Sequence, residues 1–152
     1  MQQRKKKLIA NNKKARHDYH ILDEYEAGLV LTGTEIKSVR QGKVNLKESY
    51  VSIKNGEAVI RGMHISPYDH GNIFNVDPVR LRKLLLHKQQ IRKIESQLKE
   101  QGLTVVPLSL YIDERGRAKL AVAVAKGKKL YDKREDIAKR DAKRRMQRET
   151  RR

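Results

Sequence analysis

Polar and apolar residues alternate along residues 19–29, with Tyr19, Ile21, Tyr25, Ala27 and Leu29 on one side and His20, Leu22, Glu24 and Glu26 on the other. That period of two predicts a half-buried strand. In TGTEIKSVRQG (32–42), Thr34 as N-cap, Ile36 and Val39 three apart and Gly42 as a stop predict one short helix. Residues 49–54 and 57–65 flank Asn55-Gly56, a hairpin signal, and predict two antiparallel strands. A loop over residues 66–76 ends at Asp77-Pro78, which predicts the start of a helical region. That region runs through Leu81, Leu84, Leu85, Ile91, Ile94 and Leu98 to Gly102, with an interruption near His87. Residues 103–112 and 117–125 alternate again about a turn at Glu114-Arg115-Gly116, Val106, Leu108, Leu110 and Ile112 facing one way. Five or six strands with a few helices, and no long strand-helix repeat, predict a mainly β fold: an antiparallel sheet closed into a small barrel.

The two ends of the chain break this pattern. Residues 1–16 (RKKK, then NNKKAR) read as a basic arm, residues 17–125 as the body and residues 126–152 as a basic tail. From Lys126 onward there are 13 Lys and Arg against 5 Asp and Glu, with too few apolar side chains to build a core. Acid-to-base pairs four apart at Glu135/Lys139, Asp136/Arg140 and Asp141/Arg145 support a helix. The stripe Ala138, Ala142, Met146 is too thin to dock one. The tail is therefore expected to be disordered when free and helical only against a polyanion.

Charge narrows the partner. The formal net charge is +18 and the pI about 10.3, and the excess is spread over body and tail, which points to a phosphate backbone. The basic runs lack the bulky apolar face of a membrane-surface helix. No apolar stretch is long enough to span a bilayer, and nothing resembles a secretory leader, so a cytoplasmic protein is expected. There is no Cys, which excludes disulfides and Cys-based zinc modules. The five His show no ligand spacing; His17 and His20, three apart at the start of a strand, would face opposite ways. Glu24/Glu26 and Asp113/Glu114 are the closest carboxylate pairs and belong to no catalytic motif, and there is no phosphate-binding Gly loop. Neither an enzyme nor a metal or other cofactor is expected. Arg80, Arg82, Lys83 and Lys88 read as the wet side of the helical region. Leu84, Leu85 and Leu86 are consecutive, so at least one must leave the buried stripe, and an exposed Leu beside Lys83 could pack on a base or ribose. Tyr131, between Lys128-Lys129 and Lys133-Arg134, suits stacking on an unpaired base.

Five blocks in order, NKKARHDY (12–19), YEAGL (25–29), GTEIKSVRQGK (33–43), NVDPVRLRKLLLHK (75–88) and AKGKKLYDKR (125–134), resemble the SsrA-binding protein family. The resemblance implies an oligonucleotide-binding (OB-fold) barrel with small flanking helices. It also implies a non-enzymatic role in trans-translation: binding the tRNA-like domain of transfer-messenger RNA (tmRNA) and bringing it to stalled ribosomes. Matched block by block, Asn12, Lys13, Lys14, Arg16, His17, Glu26, Lys83 and Leu85 fall where that family contacts RNA. The tail implied to enter the vacant mRNA channel begins at Gly127 as a hinge. Its Lys128, Lys129, Tyr131, Asp132, Lys133, Arg134 and Met146 would then face ribosomal RNA. Charge alone would also suit a general RNA-binding or ribosome-associated structural protein.

Overall fold

A computed structural model describes residues 7–69, 75–100 and 102–128. The expectations for Lys129, Tyr131, Asp132, Lys133, Arg134 and Met146 lie outside those residues.

The long alternating segment is β2 (Tyr19–Leu29), and it is preceded by two elements where an arm was expected: β1 (Lys7–Asn11) and α1 (Lys13–Asp18). After β2 come α2 (Gly33–Arg40), β3 (Val44–Asn45), β4 (Tyr50–Lys54), β5 (Glu57–Arg61), β6 (His64–Ile65), β7 (Arg82–Leu85), α3 (Lys88–Leu98), β8 (Leu103–Ile112) and β9 (Ala118–Gly127). Seven strands pair in the order β1-β8-β4-β5-β7-β2-β9, every pairing antiparallel, and β9 also pairs with β8. β3 and β6 form a separate two-stranded ribbon. The fold is thus mainly β with flanking helices. Leu8 and Ile9 carry too little apolar area to announce β1, which is held instead by its ladder to the end of β8.

The Asn55-Gly56 turn joins β4 and β5, with φ of 53° and 75°. Two consecutive left-handed residues suit the twist of the flanking strands, and Asn-Gly is the pair that tolerates them. Thr32, not Thr34, caps α2. Its Oγ1 accepts from the Glu35 N–H at 3.3 Å while its own N–H donates to Glu35 Oε1 at 2.9 Å, a reciprocal capping box. Gly42, at φ +76°, follows the helix end as expected.

The helical region expected from Asp77 onward is two different things. Residues 82–85 form β7, paired to β5 through Ala58↔Leu84 and to β2 through Gly28↔Leu85. The spacing of Leu81, Leu84 and Leu85 imitates a helical stripe, but ladder partners on both sides override it. Only α3 is helical. It starts after His87, whose N–H donates to the Gln90 side chain at 3.1 Å, and it buries Ile91 and Ile94.

Two irregularities decide which side chains face which way. Leu22 on β2 and Leu108 on β8 are the extra residues of register shifts, at Ile21/Asp23 and Pro107/Ser109. Such bulges reverse the in-out alternation. Hence Tyr25, Ala27 and Leu29 enter the main core with Leu110, Ile112, Leu120, Val122 and Val124, while Tyr19 and Ile21 lie on the other side of the sheet. Val106 and Leu108 also lie on that other side, not with Leu110 and Ile112 as alternation predicted. There α1 packs through Ala15 over Ala123 and Ala125. Helices α2 and α3 contribute Val39 and Ile94 to the main core.

Arg82, expected on the wet side, is fully buried on the inward face of β7. Its Nε donates to Glu35 Oε2 at 2.5 Å, Nη1 to the Met63 carbonyl at 2.7 Å and Nη2 to the Pro78 carbonyl at 2.9 Å. Arg80 adds two hydrogen bonds to the same carboxylate, one of them Nε to Oε2 at 3.1 Å. Burial alone would push the Glu35 carboxyl pKa up; the hydrogen bonds from Arg80, the Thr32 N–H and Arg82 outweigh it and hold the value below that of an ordinary glutamate.

Candidate nucleic-acid interface

The α1 cations are presented by a cap that is itself out of reach. Asn12 is 7 % exposed; its Oδ1 accepts from the Ala15 N–H at 3.2 Å, and its Nδ2 donates to the Pro107 carbonyl at 2.9 Å and the Leu46 carbonyl at 3.4 Å. Its N–H donates to the Leu108 carbonyl at 2.8 Å. The Asn12 side chain therefore pins α1 to β8 and to the chain leading into β4. Lys13, Lys14, Arg16 and His17 are exposed, His17 on the last turn of the helix rather than at the start of a strand. Lys14 pairs with Glu48, a contact that raises the lysine pKa and lowers the glutamate's. His17 Nδ1 lies 3.1 Å from Asp18 Oδ1.

The bulge at Leu22 puts the second group of expected residues on the same side as α1. Beyond it, Glu24 lies opposite Ala123, Glu26 opposite Ala121 and Gly28 opposite Lys119, so these even-numbered positions continue the outer face that Tyr19 and Ile21 begin. From Ile21 to Gly28 this face extends roughly 23 Å along the strand. At its far end, Gly28 is paired with Leu85. A Cβ at Gly28 would meet the Leu85 Cβ at 3.2 Å, so glycine is what allows the leucine to lie there. Leu85 is 56 % exposed and Lys83, two residues earlier, shares its face; Lys83 Nζ lies 3.4 Å from Glu57 Oε1. Strand alternation, not the slippage of a leucine from a helical stripe, is what exposes Leu85.

Three neighbours escaped sequence reasoning. Lys119 stands on the outer face of β9 beside Gly28, and Arg40 from the end of α2 joins it in lining a cleft of about 410 Å³ with Leu85 and Arg117. Lys119 was legible as the one charged outward position before Ala121, Ala123 and Ala125; Arg40 carried no such signal. Tyr111 lies on the outer face of β8 opposite Lys119, and its hydroxyl is hydrogen-bonded to Glu26. Burial, then that bond, raises its pKa above the ordinary tyrosine value. Alternation with Leu110 and Ile112 already turns Tyr111 away from the main core; its reach to Glu26 across β9 is what the residues alone do not show.

Gly127, expected as a hinge, is buried and closes β9 opposite Tyr19; Lys128 follows it. Gly127 also lines a second cleft, of about 520 Å³, between α1 and the start of β4. Among the described residues, no three His, Cys, Asp or Glu side chains come together as metal ligands, and no helix is long and apolar enough to cross a membrane.

Cations at both ends of one sheet face, with a carboxylate and an exposed leucine between and beside them, define a small basic β protein of the nucleic-acid-binding class. A profile of the family described as "SmpB protein" matches residues 9–152. The SsrA-binding protein of Acetivibrio thermocellus is 57 % identical over 148 residues, covering 97 % of this chain and 96 % of its own. That of Ruminiclostridium cellulolyticum is 61 % identical over 142 residues, covering 93 % and 92 %. A chain in the solved structure "tmRNA-SmpB: a journey to the center of the bacterial ribosome" superposes with a TM-score of 0.70 at 49 % identity, covering 82 % of this chain and 87 % of that one. The chain belongs to the SmpB family.

Proposed function

We propose that this protein binds tmRNA and delivers it to stalled ribosomes for trans-translation, acting as an adaptor and catalysing nothing. The observation that carries the reading is the shared outer face: the Leu22 bulge aligns Lys13, Lys14, Arg16 and His17 of α1 with Glu26, Lys119, Leu85 and Lys83. Lysines and arginines attract any phosphate backbone, whereas a carboxylate accepts only from donors such as base amino groups, and an exposed leucine packs on an unstacked base or a ribose. This mixture suits a folded RNA with splayed loop bases, here the tRNA-like domain of tmRNA. Asn12 serves the interface by fixing α1. The strand order, which returns from β9 to β8, supports a closed OB-like barrel as the platform.

The tail beginning at Gly127, with Lys128, Lys129, Tyr131, Asp132, Lys133, Arg134 and Met146, occupies the vacant mRNA channel; its strong positive charge supports that division of labour. The protein works in the cytoplasm, where ribosomes are.

Competition between tmRNA and bulk tRNA at fixed salt tests the first part: tmRNA is preferred, and Glu26→Ala removes most of the preference. Equal binding of the two RNAs would instead establish a general RNA-binding protein. Truncation after Gly127 leaves tmRNA affinity nearly unchanged and abolishes peptide tagging; loss of RNA affinity on truncation would overturn the division of labour.

A further inference from the structure

Tyr111 is 8 % exposed although it stands on an outward face, opposite Lys119 of β9 and Leu8 of β1. Glu26 stands on the outward face of β2, opposite Ala121. Since β9 lies between the two strands, their backbones are about 10 Å apart. On β9 Tyr111 faces Lys119 and Glu26 faces Ala121, one step along the same face, so the two side chains approach each other diagonally across β9, past the small Ala121 methyl. The Tyr111 hydroxyl meets the Glu26 carboxylate, and because an ionised carboxylate only accepts, the phenol is the donor.

We propose that Tyr111 is a positioning residue for Glu26: it holds the carboxylate above Ala121 through one hydrogen bond and leaves its remaining acceptor sites for the amino or imino donors of an unpaired base in bound RNA. The inference rests on the reading that Glu26 faces RNA. A glutamate on an open sheet face rotates about three bonds, and ordering it at the moment of binding would weaken the complex. With Tyr111 in place that ordering precedes encounter. The effect is directional rather than electrostatic, because the phenol is neutral and its hydroxyl adds no charge.

The test is a cycle of four proteins: wild type, Tyr111→Phe, Glu26→Ala and the double variant, titrated with the tRNA-like domain of tmRNA across a salt series. Active fractions are set by stoichiometric titration, so any loss of folded protein is separated from loss of affinity. Tyr111→Phe weakens binding about tenfold, the scale of one lost hydrogen bond to a charged group. In the Glu26→Ala background the same change costs less than about twofold, since the group it positions is gone. The slope of log affinity against log salt stays at its wild-type value in Tyr111→Phe, because no phosphate contact is lost. Equal losses in both backgrounds, or no loss from Tyr111→Phe while Glu26→Ala binds poorly, would overturn the inference alone. Wild-type affinity in Glu26→Ala would instead overturn the reading of the site and the inference with it.

Discussion

Removing Glu35 should cost as much as truncating a large buried apolar side chain, and removing its partner as well should repair part of the damage. Arg82 has no exposure and Glu35 3 %. In Glu35→Leu the guanidinium keeps its bonds to the carbonyls of Met63, Pro78 and Arg80 but loses its counter-charge, and Arg80 beside it has the same sign. Breaking a buried pair in this way costs about 3–5 kcal/mol. Arg82→Met is milder on the charge side, because Arg80 still pairs with Glu35, but it strips donors from the Met63 and Pro78 carbonyls, for a total of about 3 kcal/mol. The double variant Glu35→Leu/Arg82→Met has no buried charge. Only the orphaned carbonyls and the lost capping bond to Thr32 remain, at about 2–3 kcal/mol.

The two single costs thus exceed the double by about 3 kcal/mol or more, a coupling far above that of unrelated sites. Urea unfolding followed by circular dichroism measures it, provided the slopes with denaturant agree among the four proteins. Against a total stability of roughly 5–15 kcal/mol, Glu35→Leu comes close to unfolding the domain at 37 °C. Single-variant costs that simply add in the double would show that Glu35 and Arg82 contribute nothing as a pair and that Arg82 is not what anchors β7.

Acid should expose the same pair. The folded-state pKa of Glu35 is depressed, so its stabilisation is complete above the unfolded value of about 4.3 and is lost as pH falls through the folded value; the wild type therefore loses stability more steeply below pH 4 than the double variant does. At the head of α2, Thr32→Ala costs about 1 kcal/mol by thermal or urea unfolding and Thr34→Ala much less, because only Thr32 accepts from the Glu35 N–H. For Asn12→Ala, the lost cap and the stranded Pro107 carbonyl together cost about 2 kcal/mol and weaken tmRNA binding, yet the binding is restored by conditions that restore the fold, such as a stabilising osmolyte. Persistent loss of affinity in fully folded Asn12→Ala would mean the amide contacts RNA directly.

How much of this was legible in the residues depends on how local each signal is. The Asn55-Gly56 hairpin, the existence of β2 and β9 as strands and the stop at Gly42 are written within a few positions, and they are found where the pattern puts them, although the face of Tyr19 and Ile21 is not. Glu26, Lys83 and Leu85 were legible through the block resemblance, and the structure brings them to one face. What failed was information carried by distant partners. Residues 82–85 have helical spacing, and become a strand because β5 and β2 offer ladders on both sides. Arg82 sits in a basic run that looks solvated, and only Glu35, 47 positions away, makes it a core residue.

The same dependence on distant partners builds the candidate site. Strict alternation along β2 would place Glu24 and Glu26 opposite to Tyr19 and Ile21, hence opposite to α1; the extra residue at Leu22 shifts the later half by one position and turns both glutamates to the helix side. The shift at Leu108 does the same for β8, taking Leu110 and Ile112 into the main core and leaving Tyr111 outward, where it reaches Glu26. On β7 the inward anchor Arg82 fixes the register from the other side, so that Lys83 and Leu85 must face out. A slip of one residue at any of these three places would leave every element formed but scatter the side chains of the candidate interface over both faces of the sheet. The bulges and the buried ion pair are therefore the features on which the candidate interface depends, although none of them needs to touch a ligand.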